Sequence, residues 1–300
     1  MMVAMNTHTW HGELRRNELM SQHTSWRVGG PADLFYRPDG IADLAAFLRE
    51  ADPELPLVWI GLGSNLLVRD AGIRGIVVFT IGCLNRIESL GNTRVLVEAG
   101  VTSAKVARFC AAQDLHGAEF LAGIPGSMGG ALAMNAGAFG SETWQVVESV
   151  ETLDRHGNLH QRTAEDFDIS YRHVKGAENE WFVSATLKLE HGISEESRSR
   201  VRSLLDKRNQ SQPIGTANAG SVFKNPLHDH AARLIESCGL KDHCHGAACV
   251  SDKHANFILN KGGATSADIE SLIEFVKHKV SEDTGVTLET EVRIIGEANA

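Results

Sequence analysis

The stretch 122–140, AGIPGSMGGALAMNAGAFG, has too little side-chain bulk for a core helix and too little polarity for a solvated linker, so it must lie against something. Within it, Gly123-Ile124-Pro125-Gly126-Ser127-Met128-Gly129-Gly130-Ala131 joins a proline-fixed turn to the start of a small-residue helix. Such a run lets backbone approach a flat ligand and aims amides at a phosphate. Close helix–sheet packing explains the same residues equally well when they are taken alone. Earlier in the chain, Gly61-Leu62-Gly63-Ser64-Asn65 follows an apolar run and offers a concave series of backbone N–H groups, able to hold a pyrophosphate without a cation. A third glycine is missing and Leu67 and Val68 lead on to a strand, so this is not a Rossmann fingerprint, and a plain tight turn is the competing reading. Two such loops in one chain favour a dinucleotide over two unrelated turns.

Around these loops the hydrophobic period alternates between helix and strand. Helical spacing over IADLAAFLREA gives way to the short apolar runs LPLVWIG and GIVVFT, which predicts a β-turn-β arrangement after a helix. RVLVEAG alternates as a strand, and VTSAKVARFCAAQ follows as a helix with Thr102 at its N-cap. VVESVETLD, GNLHQRTA and WFVSATLKLE read as an antiparallel sheet with DRHGN as a hairpin turn. The charged helix at 194–208 marks a boundary into a unit with two helices flanking NFILN, and VTLETEVRIIG closes the chain as a strand. The expectation is an α+β chain in three units: 1–90, 91–195 joined by the closing strand 287–300, and 196–286.

No apolar stretch approaches the roughly 20 residues a membrane-crossing helix needs, and the first residues carry no secretory pattern. The five cysteines, irregularly spaced, read as free thiols in a reducing cytosol, which predicts a cytoplasmic protein. A net charge of −9 without a Lys/Arg stripe argues against nucleic acid as a partner. His228, His230, Cys238, His243, Cys244, His245, Cys249 and His254 crowd together, but without a paired C-x-x-C or H-x-x-x-H unit, so no metal is expected.

The two loops, as GLGSNLLV at 61–68 and the whole of 122–140, stand in order with HTSWRVGGPADLFYRP at 23–38, Tyr171-Arg172, AGSVFKNP at 219–226, GAACVSDKHANFILN at 246–260 and LETEVRIIG at 288–296. Together these strings resemble the UDP-N-acetylenolpyruvoylglucosamine reductases over nearly the whole chain. The resemblance implies a vanillyl-alcohol-oxidase-type (PCMH-type) FAD-binding domain in two α/β halves with FAD between them, and a smaller α+β substrate domain. It points to the shorter subtype, which lacks an inserted substrate-covering loop. The implied activity is NADPH-dependent, FAD-mediated reduction of UDP-N-acetylglucosamine enolpyruvate to UDP-N-acetylmuramate in peptidoglycan precursor synthesis.

Carried over residue by residue, the resemblance implies that Gly61, Gly63, Ser64, Asn65, Leu66, Gly123, Ile124, Pro125, Gly126, Ser127, Gly129, Gly130, Ala131 and Asn135 hold FAD. Neither loop contains the histidine or cysteine that tethers flavin in related oxidases, so the binding is expected to be non-covalent. Hydride addition to an enolpyruvyl double bond pushes negative charge onto its carboxylate, which calls for a cationic clamp and an acid. Arg172 fits the clamp, because a guanidinium grips a carboxylate at two points and keeps its charge. Glu291 is implied as a second polarising group, useful if burial keeps it protonated, and Ser221 as the proton donor. A surface salt bridge, a solvent-facing strand residue and a turn serine are the ordinary alternatives for these three. Tyr171, Lys224 and Asn225 are candidates for substrate contact, and Lys207, Arg208 and Arg233 for positive potential. After Arg172 the chain reads HVKGAENEWF, without the serine and phenylalanine the family carries, so the nicotinamide site should differ in its lining. No separate nicotinamide fingerprint occurs, which predicts that both substrates use one site in turn. Another FAD-dependent oxidase or dehydrogenase on the same fold, or a flavin-binding regulator without chemistry, are the competing functions.

Overall fold

The computed structural model describes residues 8–298. The first part is a four-stranded sheet of β1 (Glu13–Leu19), β2 (Pro31–Arg37), β3 (Leu57–Ile60) and β5 (Ile73–Phe79), in the order β1-β2-β5-β3. Strand β5 carries Ile76, Val77 and Val78 in succession, all buried, the signature of a strand covered on both faces. The helix α1 (Ile41–Glu50) covers one face by laying Leu44, Phe47 and Leu48 against Tyr36, Ile76 and Val78. The expected β-turn-β pair is corrected here, because β3 and β5 run parallel. The short strand β4 (Leu66–Val68) between them leaves this sheet and pairs in parallel with Arg293–Ile295 near the end of the chain.

A second, five-stranded antiparallel sheet has the order Leu159–Arg162, Val147–Asp154, Glu180–Lys188, β7 (Arg94–Glu98), β6 (Ile87–Gly91). The DRHGN turn is formed as expected, with the Asp154 carboxylate accepting from the amides of His156 and Asn158 at 2.8 and 2.9 Å. Helices α2 (Ser103–Ala112) and α3 (Met128–Ala133) pack with this sheet, and Thr102 stands at the N-cap of α2 without a side-chain cap bond. Two boundaries are corrected. The helix α4 (Ser194–Ser211) does not open the third unit, since Val201 is buried with Val106, Leu115 and Leu121 of the second. The closing strand joins β4 of the first part, not the second sheet, because β4 is the edge its backbone can complete.

The third unit packs α5 (Ala231–Ser237) and α6 (Ser266–Thr284) on a sheet of Cys244–His245, Ala248–Val250 and Ile258–Asn260. Helix α6 begins with a Thr265–Asp268 capping box and ends on Gly285 in the left-handed region. Its core also takes in Trp26, Val28, Leu67 and Val292 from the rest of the chain. The expectation of five free thiols is corrected: Cys244 and Cys249 are opposed partners across a β-hairpin and form a disulfide, while Cys83, Cys110 and Cys238 are free. Two cysteines in register on adjacent antiparallel strands have their sulfurs brought together by the turn itself. Among the described residues, no helix is long and apolar enough to cross a membrane.

Candidate active site

A cavity of about 840 Å³ is lined by residues of all three parts of the chain, including both glycine-rich loops. The loops touch each other. A side chain at Gly61 would place its Cβ 2.1 Å from Ser127 Oγ, and one at Gly63, where φ is +63°, would lie 2.0 Å from the His23 carbonyl. Those glycines are required by close approach. Gly126 and Gly130 differ, because a Cβ built there meets nothing nearer than 3.5 and 3.6 Å, so the space beside them belongs to the cavity. Ser127 begins the α3 turn, its Oγ accepting from Gly130 N at 3.4 Å.

The chemistry-bearing side chains gather where the first loop meets the chain's end. Asn65 donates through Nδ2 to the Glu291 carbonyl at 3.0 Å, and Arg293 N donates to the Asn65 carbonyl at 3.0 Å. Glu291 N donates in turn to the Val222 carbonyl at 2.8 Å, which sets Ser221 beside Glu291 on the cavity wall. Arg172, 119 residues away in sequence, donates from Nε to Glu291 Oε1 at 3.1 Å and from Nη2 to the Gly137 carbonyl at 3.1 Å. Both partners of the pair are largely buried, with side chains 16% and 12% exposed. Burial pushes the Glu291 carboxyl above the ordinary carboxylate range, and the charge and hydrogen bond of Arg172 only partly offset it.

The loop residues Gly61, Gly63, Ser64, Asn65, Leu66, Gly123, Ile124, Pro125, Gly126, Ser127, Gly129, Gly130 and Ala131 line the cavity, as do Arg172, Ser221 and Glu291. Six candidates stand elsewhere, Lys207 and Arg233 among them. Asn135 is buried as a brace, donating to Glu142 Oε2 at 2.8 Å and accepting from Trp144 N at 3.1 Å. Tyr171 is exposed, its ring 4.9 Å from the Arg172 guanidinium carbon. Lys224 pairs with Glu289 at 3.3 Å, and Asn225 Oδ1 accepts from Ala231 N at the start of α5. Several wall residues went unmarked in the sequence. Trp59 stands just before the first loop, a position that could have flagged it, whereas Trp181 and Phe257 reach the cavity only through the tertiary fold. Arg208, named above only for its charge, also lines the cavity; burial lowers its pKa, and its Nε donates to Gln212.

The residues present fit a flavin dinucleotide. Two facing glycine loops leave backbone and open space for a diphosphate, and a polar cluster lines the same cavity. None of the described residues that line the cavity is a histidine or cysteine, so a flavin there would be held without a bond to either.

Residues 32–162 match the family model of an FAD binding domain, and residues 212–295 match that of the C-terminal domain of UDP-N-acetylenolpyruvoylglucosamine reductase. The chain is 56% identical to the UDP-N-acetylenolpyruvoylglucosamine reductase of Alkalilimnicola ehrlichii over 299 residues, 100% of both chains. It is 56% identical to that of Methylococcus capsulatus over 289 residues, 96% of this chain and 95% of the relative. The crystal structure of the Thermus caldophilus reductase of that name superimposes with a TM-score of 0.81 at 31% identity, covering 95% of this chain and 98% of that one.

Proposed function

The chain belongs to the UDP-N-acetylenolpyruvoylglucosamine reductase family, oxidoreductases with an FAD-binding domain, and we propose that it uses NADPH to reduce UDP-N-acetylglucosamine enolpyruvate to UDP-N-acetylmuramate, a cytoplasmic step of peptidoglycan precursor synthesis. The observation that carries this reading is the buried Arg172–Glu291 pair with Ser221 beside it, on the wall of a cavity that the two glycine loops also line. Bound along Gly61–Asn65 and Gly126–Gly130, FAD would supply the hydride relay between the coenzyme and the enolpyruvyl double bond.

The protein's own share is charge, orientation and a proton. Arg172 presents its guanidinium to the substrate carboxylate, where negative charge grows as hydride arrives. Glu291, held above its usual range, presents a proton to the same carboxylate in place of a repelling charge. Ser221 delivers the proton to the carbon next to the one that takes the hydride, its backbone positioned by the turn at Gly220 and the bond from Glu291 N to the Val222 carbonyl. One cavity serves coenzyme and substrate in turn, and parallel-line kinetics are expected.

The test is an anaerobic stopped-flow experiment in which purified protein meets NADPH and then the enolpyruvyl sugar nucleotide. The flavin absorbance should bleach with NADPH and recover rapidly with the second substrate. A protein that bleaches without recovering is a different flavin enzyme on the same fold.

A further inference from the structure

Arg172 is held in a backbone conformation that a long side chain disfavours. It is the second residue of the turn between the paired strands Asp168–Ser170 and His173–Lys175, with φ at +55°, in the left-handed region. A residue stays there only where its surroundings over-determine it. Its guanidinium is anchored as well, Nε on Glu291 Oε1 and Nη2 on the Gly137 carbonyl, both at 3.1 Å. Those bonds take one edge of the planar group. Among the described residues Nη1 carries no bond, which leaves the Nη1–Nη2 end on the cavity wall for a carboxylate.

Asn135 reaches both anchorages of this arginine from behind the wall. It is 2% exposed, and its own φ of +44° is one that asparagine tolerates. Its Nδ2 donates to the Ser170 carbonyl at 3.3 Å, immediately before the Tyr171–Arg172 turn, and to Glu142 Oε2 at 2.8 Å. Glu142 is the register partner of Gly137 in the hairpin of Gly137–Ala138 and Ser141–Glu142, so the second bond steadies the strand whose carbonyl accepts from Arg172. Gly137 also admits the guanidinium, since a Cβ there would lie 3.2 Å from Arg172 Nη1 and 2.6 Å from the Ser141 carbonyl oxygen. Asn135 Oδ1 accepts from Trp144 N at 3.1 Å, which fixes the way the amide faces. One buried amide thus ties the backbone that carries Arg172 to the backbone on which Arg172 rests.

We propose that Asn135 is a positioning residue for the carboxylate clamp, setting Arg172 by holding the Ser170 carbonyl and the Glu142–Gly137 pair together. This role rests on the reading in which Arg172 meets the substrate carboxylate. Its effects are confined to the steps in which that carboxylate takes part.

Asn135→Asp keeps the size, the left-handed backbone and the acceptor for Trp144 N, and loses the donor. Combined with Glu142→Gln, it regains a bond between positions 135 and 142 with the direction reversed, and only the Ser170 carbonyl stays without its donor. Titration calorimetry on the oxidised protein compares UDP-N-acetylmuramate, which carries the carboxylate, with UDP-N-acetylglucosamine, which does not. The preference for the first should shrink by about tenfold in both variants, while affinity for the second stays within about twofold. In stopped flow, bleaching by NADPH should stay within about twofold and recovery with the enolpyruvyl sugar should slow by about tenfold. In an Arg172→Lys background the same substitutions should add less than about twofold, because the side chain they act through is gone. Where Asn135→Asp lowers the unfolding temperature of the flavin-free protein, the double variant carries the comparison. A loss that persists in the Arg172→Lys background, bleaching and recovery slowed alike, or variants that match the wild type overturn the positioning role. A wild type without preference for the carboxylate-bearing nucleotide, or an Arg172→Lys protein that recovers at the wild-type rate, refutes the clamp itself and this role with it, an outcome distinct from a failure confined to Asn135.

Discussion

Glu291 and Arg172 are a buried pair in which the carboxyl, despite its partner, stays above the ordinary carboxylate range because burial costs the charged form more than one guanidinium returns. The sign of the pH effect follows. Reduction of the enolpyruvyl sugar should be fastest at pH below the raised pKa and should fall as pH rises through it. Glu291→Gln keeps a donor that cannot ionise, so single-turnover rates of that half-reaction should lose this pH limb and drop by about 10²-fold at the optimum. An unchanged limb would assign the titration to another group. Ser221→Ala should leave bleaching by NADPH nearly intact and slow recovery by at least about 10²-fold. Equal loss of both half-reactions removes the proton-donor role. Both residues were legible in the sequence through the strings around them. Their mutual position was not, because it depends on the backbone bond from Glu291 to Val222.

At the scale of elements, the charged helix α4 shows where composition misleads. Read alone, SEESRSRVRSLLDKR is a solvated boundary helix, yet its Ser197 and Val201 are buried against the second unit. Ser197 Oγ donates to Glu119 Oε1 at 2.7 Å, Gly117 N donates to Glu119 Oε2 at 2.9 Å, and His116 Nδ1 lies 2.8 Å from Oε1. Burial raises the Glu119 pKa, but these hydrogen bonds and the neighbouring His116 outweigh it and hold the carboxyl below the ordinary carboxylate range. A depressed carboxylate stabilises the fold above the unfolded-state pKa and loses that contribution as pH falls through the folded value. Glu119→Ala strands buried donors and should cost about 2 kcal/mol in urea denaturation at neutral pH, with the difference shrinking in acid. A difference that persists unchanged as pH falls through the lowered folded-state pKa would mean that packing, not the ionised carboxylate, holds α4 in place.

The molecule as a whole is tied together by segments that cross between its parts. Trp26, fully buried, donates from Nε1 to the Ile258 carbonyl at 2.7 Å, and Asn260 Nδ2 donates to the Trp26 carbonyl at 2.9 Å. Leu67 and Val292 enter the same core, and the strand Arg293–Ile295 completes β4. The core of the third unit is therefore shared with segments of the other parts, and it should not melt separately. Trp26→Ala should cost about 3–5 kcal/mol and move one cooperative calorimetric transition downward. Two resolved transitions, with only the later one unmoved, would show that the third unit folds independently. The same crossing segments bring Ser221 and Glu291 onto the wall of a cavity that the other two parts also line.

The sequence by itself determined the alternation of helix and strand, the two glycine loops, and the Arg172, Ser221 and Glu291 positions that mark the family. These are local: a period of 3.6 or 2, a missing side chain, or a short string carries each of them. Tertiary structure alone decided that β3 and β5 run parallel, that the closing strand completes β4, that α4 packs backward, and that Cys244 meets Cys249. It also moved Asn135, Tyr171, Lys224 and Asn225 off the cavity wall and placed Trp181 on it. Strand partners and cavity walls are set by contacts between residues distant in the chain, and such contacts leave no periodic trace in the sequence around either partner.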